Sequence, residues 1–226
     1  MNLFVEAYML RHPDNANLIL HCDSHFQGWP IQKDKGPFIE QYLQRLLKTM
    51  QYTLSEYSRV FAFRVDLRFP VGTQSPGCGY ANEVVGDFIA SFKAKIEHNR
   101  YKARQLNKYS HNSKVRYVWA REEGQAAKHH YHLVILLNRD AFNALGYYTP
   151  DKNNMFNRLQ QAWANALGLT VEETAGLVHI PLNARYELDR EKPEKQAEFF
   201  YRASYLCKSA TKVFGNGNHG FGSSRA

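Results

Sequence analysis

Two imidazoles two residues apart, His130 and His132, open the apolar run Leu133-Val134-Ile135-Leu136-Leu137. Side chains at i and i+2 of a strand point to the same face. A strand here would hold both rings side by side, with Tyr131 on the opposite face. Two neutral imidazoles so placed can ligate one divalent cation. A catalytic cation also needs an oxygen ligand and a position left open for substrate. Arg121-Glu122-Glu123 precedes the pair and puts a carboxylate within reach across a hairpin. Strand phase alone leaves Glu122 and Glu123 as alternatives, because choosing between them requires the pairing register. An ordinary hairpin could use the same histidines with no metal.

The segment Tyr201-Arg202-Ala203-Ser204-Tyr205-Leu206-Cys207-Lys208 supplies complementary groups. On a helix, residues three and four apart share a face, so Tyr201, Tyr205 and Lys208 would line one stripe. A phenol titrates near ~10 and is a weak nucleophile until a cation stabilises the phenolate. Lys208 could do that, or could neutralise charge building on phosphate oxygens. By itself the segment reads first as an amphipathic helix with core tyrosines and a solvated lysine. Taken together, the two segments equip the chain for metal-assisted attack of a tyrosine on a DNA phosphodiester. The products would be a 5′-phosphotyrosine and a free 3′-hydroxyl. Bond energy is conserved, so a second 3′-hydroxyl can reverse the step. Two tyrosines would let one enzyme hold one cut end while making another cut.

The elements that must carry these groups are legible in outline. Pro37 is expected to begin a helix that buries Phe38, Tyr42, Leu46, Leu47 and Met50. Val60–Phe69 alternates in the strand period, with Arg64, Asp66 and Arg68 on one face. Asp66 is expected in a surface salt bridge; the alternative is that it orients a histidine. Val71–Tyr80 reads as a turn-rich loop. Ala81–Tyr109 reads as a long helix whose second half is strongly basic. A solvated face is the ordinary reading of that charge, and a surface for a phosphate backbone is the functional one. Val115–Glu122 and Tyr131–Leu137 form a hairpin around Gly124. A helix is expected from Asp151 to about Leu167, stopped by Gly168. Leu177–Leu188 holds one or two strands interrupted by Pro181, and Pro193–Ala210 is a helix. The tail from Val213 is rich in Gly, Asn and Ser. The order predicts an α+β domain with a mostly antiparallel, βαββαβ-like sheet of about five strands. Residues 1–54 read as an N-terminal extension with a helix, and 55–226 as the main domain.

Composition narrows the partners. The chain has 226 residues, 44% of them hydrophobic, enough for a sizeable core. Its net charge of +8 and pI near 9.3 point to a polyanion, most simply nucleic acid. Three widely spaced cysteines without a CxxC argue against a disulfide framework or a cysteine zinc site. No apolar stretch approaches the ~20 residues that span a bilayer. The N-terminus lacks a basic region of the secretory kind. A protein of the bacterial cytoplasm, with no membrane partner, is expected.

At these residues the chain resembles the HUH endonuclease superfamily, the rolling-circle replication initiators and relaxases. His130-Tyr131-His132 resembles its metal motif, and Tyr205-Leu206-Cys207-Lys208 its YxxK nucleophile motif. Tyr201, four residues upstream, resembles the two-tyrosine arrangement of bacteriophage initiators. More narrowly, Trp119-Ala120-Arg121-Glu122, the YxxK segment and the tail Phe221-Gly222-Ser223-Ser224-Arg225 are similar to two groups. These are the inovirus gene-2-type replication proteins and the prophage YagK/YfjJ C-terminal domain family. The resemblance spans residues 55–226 with the order of motifs intact.

The resemblance implies a five-stranded antiparallel sheet with the histidines on a central strand. It implies Mg²⁺ or Mn²⁺ held by His130, His132 and, of the two carboxylates, Glu122. Tyr205 would be the first nucleophile, Tyr201 the second, and Lys208 an electrostatic helper. The implied activity is site-specific nicking and joining of single-stranded DNA at a replication origin or its hairpin. Arg121, Lys93, Lys95, Arg100, Lys102, Arg104 and Arg225 are the expected DNA contacts. A host helicase or polymerase is a further candidate partner. Two other readings stay open: a prophage-derived DNA-binding protein that does not cut, and a metal-dependent phosphodiesterase that uses activated water.

Overall fold

Alternation along three long strands sets the architecture. The computed structural model of the protein describes residues 10–71, 82–123, 129–149, 152–215 and 217–225. In chain order its elements begin with the short strands β1 (Arg11–His12), β2 (Asn15–His21), β3 (His25–Phe26), β4 (Trp29–Pro30) and β5 (Phe38–Ile39). Helix α1 (Glu40–Glu56), strand β6 (Arg59–Arg68), helix α2 (Asn82–Leu106) and strands β7 (Arg116–Glu123) and β8 (His129–Asn138) follow. Then come α3 (Met155–Leu167), β9 (Val178–His179), β10 (Arg185–Asp189), α4 (Pro193–Ala203) and β11 (Phe221–Ser223). A 3-10 turn, Ser204–Cys207, continues α4.

The main sheet runs β10-β6-β8-β7-β11, with β9 also paired to β6. Every pairing in it is antiparallel. The fold is therefore α+β with a mostly antiparallel sheet, and β8 sits at the middle of the order. One face of the sheet carries Phe61, Phe63 and Val65 of β6, Trp119 of β7, and Tyr131, Leu133 and Ile135 of β8. Val85, Phe88 and Phe92 of α2 and Leu159 and Trp163 of α3 pack on that face. The other face carries Val60, Ala62, Val118, Ala120, Val134 and Leu136. Leu43, Leu46, Leu47 and Met50 of α1 cover it, joined by Phe199 and Phe200 of α4. Each face thus has its own helical layer, as a sheet apolar on both sides requires.

Several boundaries differ from the sequence reading. The first helix begins at Glu40, because Phe38 and Ile39 pair with His21 and Leu20 of β2. Helix α3 begins at Met155, where the Asn154 side chain accepts from Asn157 N. Gly168 ends it in the left-handed conformation, as expected. The helix expected over Pro193–Ala210 stops at Ala203 and tightens into the 3-10 turn. Lys208 then takes an extended ψ of 145° and bridges to Phe38, while Ser209 N donates to Pro37 O (2.9 Å). These backbone ties close the segment before another α-helical turn can form. The Gly-rich tail contains the edge strand β11. The loop expected over Val71–Tyr80 and the turn around Gly124 fall largely or wholly outside the described residues. Among the described residues, no helix is long and apolar enough to cross a membrane.

Strand β11 closes the β7 edge by close packing. Phe221 stacks on Tyr42 of α1 (4.2 Å between centroids, 6° between planes). Gly222 lies opposite Trp119, whose indole crosses it so tightly that a Cβ would meet Cε2 at 2.5 Å. Gly222→Ala is expected to destabilise the protein by about 1–3 kcal/mol through overpacking. Urea denaturation checks this, and an unchanged midpoint would refute it.

Candidate functional site

Register assembles the polar end of the sheet. Pairing of β7 with β8 sets Glu122 opposite His130 and Glu123 opposite His129. Pairing of β6 with β8 sets Asp66 opposite His132. Glu122, His130, His132 and Asp66 therefore share one face, continuous with the apolar floor of Val134, Leu136 and Ala120. That register places Glu122, rather than Glu123, with the histidines.

Glu122, His130 and His132 offer three ligand atoms within 4.8 Å of one another. The two Nε2 atoms are 3.0 Å apart. That is the separation of two nitrogens at right angles about one cation at about 2.1 Å. His132 Nε2 is 3.3 Å from Glu122 Oε2. An oxygen and two imidazole nitrogens converging at one point fit a divalent cation.

His132 Nδ1 lies 2.6 Å from Asp66 Oδ1 and 2.9 Å from Arg64 Nη2. The Asp66 contact orients the ring, with Nε2 turned toward Glu122 and His130. Arg64 Nε donates to the same carboxylate oxygen (3.1 Å). Asp66 is 6% exposed, so its pairing with Arg64 is not the surface salt bridge expected from sequence. Its alternative role, orienting a histidine, is the geometry observed. Burial alone would raise the Asp66 carboxyl, but the hydrogen bond and charge of His132, with Arg64, hold it down at about 2.

The Glu122 carboxylate is 3% exposed and lies between two ammoniums. Lys208 Nζ is 3.0 Å from Oε2, and Lys212 Nζ is 3.2 Å from Oε1. Burial would raise its pKa, yet the His132 hydrogen bond and the two lysines hold it well below the usual carboxylate range. Burial pulls the Lys212 ammonium down, against the attraction of Glu122.

Lys208 Nζ also donates to Tyr205 Oη (2.5 Å). The 3-10 turn explains the contact: at three residues per turn, side chains i and i+3 eclipse. The Tyr205 ring stands edge-on to His132 (5.8 Å, 74°), and the Arg64 guanidinium lies over it (5.0 Å). One ammonium thus touches both a candidate metal ligand and a phenol.

The other expected site residues lie elsewhere. Tyr201 is exposed on α4, before the chain tightens, so the single stripe of Tyr201, Tyr205 and Lys208 does not form on one α-helix. Lys93, Lys95, Arg100, Lys102 and Arg104 belong to α2, which covers the opposite face of the sheet. Arg100 is engaged there with Asn99 and the Phe142 ring. Arg121 pairs with Tyr131, one residue out of phase with Glu122. Arg225 follows β11, near Arg116 at the far end of β7. Sequence reasoning missed Lys212, whose segment has no periodicity to mark it. It also left Arg64 without a role, although alternation placed it on the face of Asp66.

The depressed Asp66 pKa has a signed consequence. Its stabilising contribution, about 2 kcal/mol, is fully present above the ordinary value of 3.8 and is lost as pH falls through about 2. In metal-free protein, the stability difference between wild type and Asp66→Asn should shrink steadily from pH 5 toward pH 2. Urea denaturation across that range measures it. A difference independent of pH would show that the carboxylate is not held this way.

The YagK/YfjJ C-terminal domain model matches residues 22–224. The chain is 30% identical over 200 residues to the uncharacterized protein YfjJ of Escherichia coli strain K12, covering 84% of this chain and 96% of YfjJ. It is 33% identical over 202 residues to the uncharacterized protein YagK of the same strain, covering 86% of this chain and 97% of YagK. No solved structure matches the chain. The chain belongs to the YagK/YfjJ C-terminal domain family.

Proposed function

We propose that this protein is an HUH-type endonuclease that nicks and joins single-stranded DNA, initiating rolling-circle replication of a phage-like element. The observation that carries this reading is Lys208, in contact with both Glu122 and Tyr205 beside the imidazole pair. It links a candidate metal ligand to a candidate nucleophile through one side chain. A structural histidine pair would have no need of that link.

Glu122, His130 and His132 would hold Mg²⁺ or Mn²⁺, which supplies Lewis-acid polarisation of the scissile phosphodiester. Asp66 would orient the His132 ring for ligation. Tyr205 Oη attacks phosphorus in line, forming a new P–O bond as the bond to the 3′-oxygen breaks. The proton lost from the phenol is balanced by the one the leaving 3′-oxygen takes up. Lys208 stabilises negative charge on the phenolate and on the phosphate oxygens. A 3′-hydroxyl attacking the phosphotyrosine reverses the step. Tyr201, exposed four residues upstream, would serve a second transfer after rearrangement of the α4 end.

An adduct assay tests the reading. Protein is mixed with single-stranded DNA of its own genetic element and Mn²⁺, then run on a denaturing gel. A DNA-shifted band is expected that disappears with EDTA and with Tyr205→Phe and persists with Tyr201→Phe. Lys208→Ala should slow its formation by about 100-fold. Cleavage without an adduct would favour a water-using phosphodiesterase. Binding with neither would favour a protein that recognises DNA without cutting it.

A further inference from the structure

A second set of basic residues lies away from the histidines. Two open cavities, of about 840 and 590 Å³, flank the end of β11 and share Ser223, Ser224 and Arg225 as their common wall. The first lies toward α2 and holds Lys93, Arg104, Lys114 and Arg116. The second lies toward α1 and holds Arg45 and Lys48. Glu97 is the carboxylate lining them, and Glu56 pairs with Lys114 (2.7 Å) and Arg116 (3.1 Å). Seven cations with Arg225, against these two carboxylates, leave a surplus of five on one edge of a chain whose net charge is +8.

The wall between the cavities is pinned. Arg116 Nη1 donates to Arg225 O (2.7 Å), Ser224 N donates to Tyr117 O (2.9 Å), and Tyr117 N donates to Ser224 Oγ (3.3 Å). A fixed ridge with a basic channel on each side offers cations to two rows of phosphates flanking a groove. A single strand would need one channel and open aromatic faces for stacking. Here Lys93 lies over the Tyr117 ring (5.2 Å), and Trp119 and Phe221 are buried. Tyr52 is the exposed aromatic among the lining residues. The ridge lies six residues along β7 from Glu122, about 20 Å from it.

We propose that the β7–β11 edge is a second nucleic-acid interface, which grips the backbone of a duplex while the histidine face acts on a single strand. The inference rests on the nucleic-acid reading of the histidine site but does not require that site to cut.

Fluorescence anisotropy with a labelled hairpin, and with a single strand of the same length, tests it. Two variants each reverse one channel: Arg45→Glu with Lys48→Glu, and Lys93→Glu with Arg104→Glu. Each is expected to weaken hairpin binding at least 10-fold and to flatten its salt dependence by about one unit of slope for each phosphate no longer neutralised. Single-strand binding and Mn²⁺ binding should stay within twofold of wild type. Equal weakening for hairpin and single strand, or hairpin binding unchanged in either variant, would overturn the proposal. His130→Ala should leave hairpin binding intact even if it abolishes an adduct, so failure of the cutting chemistry and failure of this interface are separately visible.

Discussion

The polar half of this structure depends on one buried carboxylate. Taking a charge such as Glu122 out of water costs several kcal/mol, and that cost is met only by close partners with good geometry. Glu122 has three: the His132 ring at 3.3 Å, Lys208 at 3.0 Å and Lys212 at 3.2 Å. The histidine comes from the neighbouring strand and the lysines from a segment far along the chain, and all three are themselves buried. Lys208 and Lys212 lie in the segment that the Phe38 bridge and the Ser209–Pro37 bond hold against the sheet. Loss of Glu122 would leave two ammoniums facing each other in a dry site. Loss of either ammonium would leave the carboxylate half-compensated. The carboxylate therefore ties the end of β7 to the segment after α4, and so ties the imidazoles to the tyrosine.

The same arrangement gives the site its chemical character. Two ammoniums and a guanidinium surround Glu122 and Asp66, so the pocket carries excess positive charge around the imidazoles. Such a field suits an anionic phosphodiester. The apolar floor of Val134, Leu136 and Ala120 lowers the local dielectric and strengthens each of these interactions. On the opposite face, Tyr131 and Leu133 belong to an ordinary helix-covered core. One strand thus holds the imidazoles of the candidate site on the same face as Val134 and Leu136, and core residues of the other layer at its odd positions.

What was legible in sequence follows from which information is local. The HxH spacing, the apolar run after it and the alternation of Val60–Phe69 identify two strands and the face each residue takes, because strand period is a local property. Glu122 over Glu123 depends on register, which alternation does not encode and pairing supplies. The Tyr205–Lys208 contact was visible as spacing, but it is made by a 3-10 turn whose cause is a backbone bridge to Phe38, far away in the chain. Lys212 had no local mark at all. Helix α2 shows the reverse failure: its apolar stripe was plain, but a stripe does not say which face of the sheet it will cover. Strand β11 was hidden by Gly222, a poor strand residue that is accommodated here because the Trp119 indole occupies the place of its side chain.

The proposed chemistry joins Tyr205 covalently to DNA at this site. The most direct measurement is to trap protein incubated with Mn²⁺ and single-stranded DNA, digest it, and locate the nucleotide-bearing residue by mass spectrometry. A 5′-phosphate ester on Tyr205 in the wild type, absent from His130→Ala, is the predicted result. Cleaved DNA with no modified tyrosine, or an ester confined to Tyr201, would contradict the account.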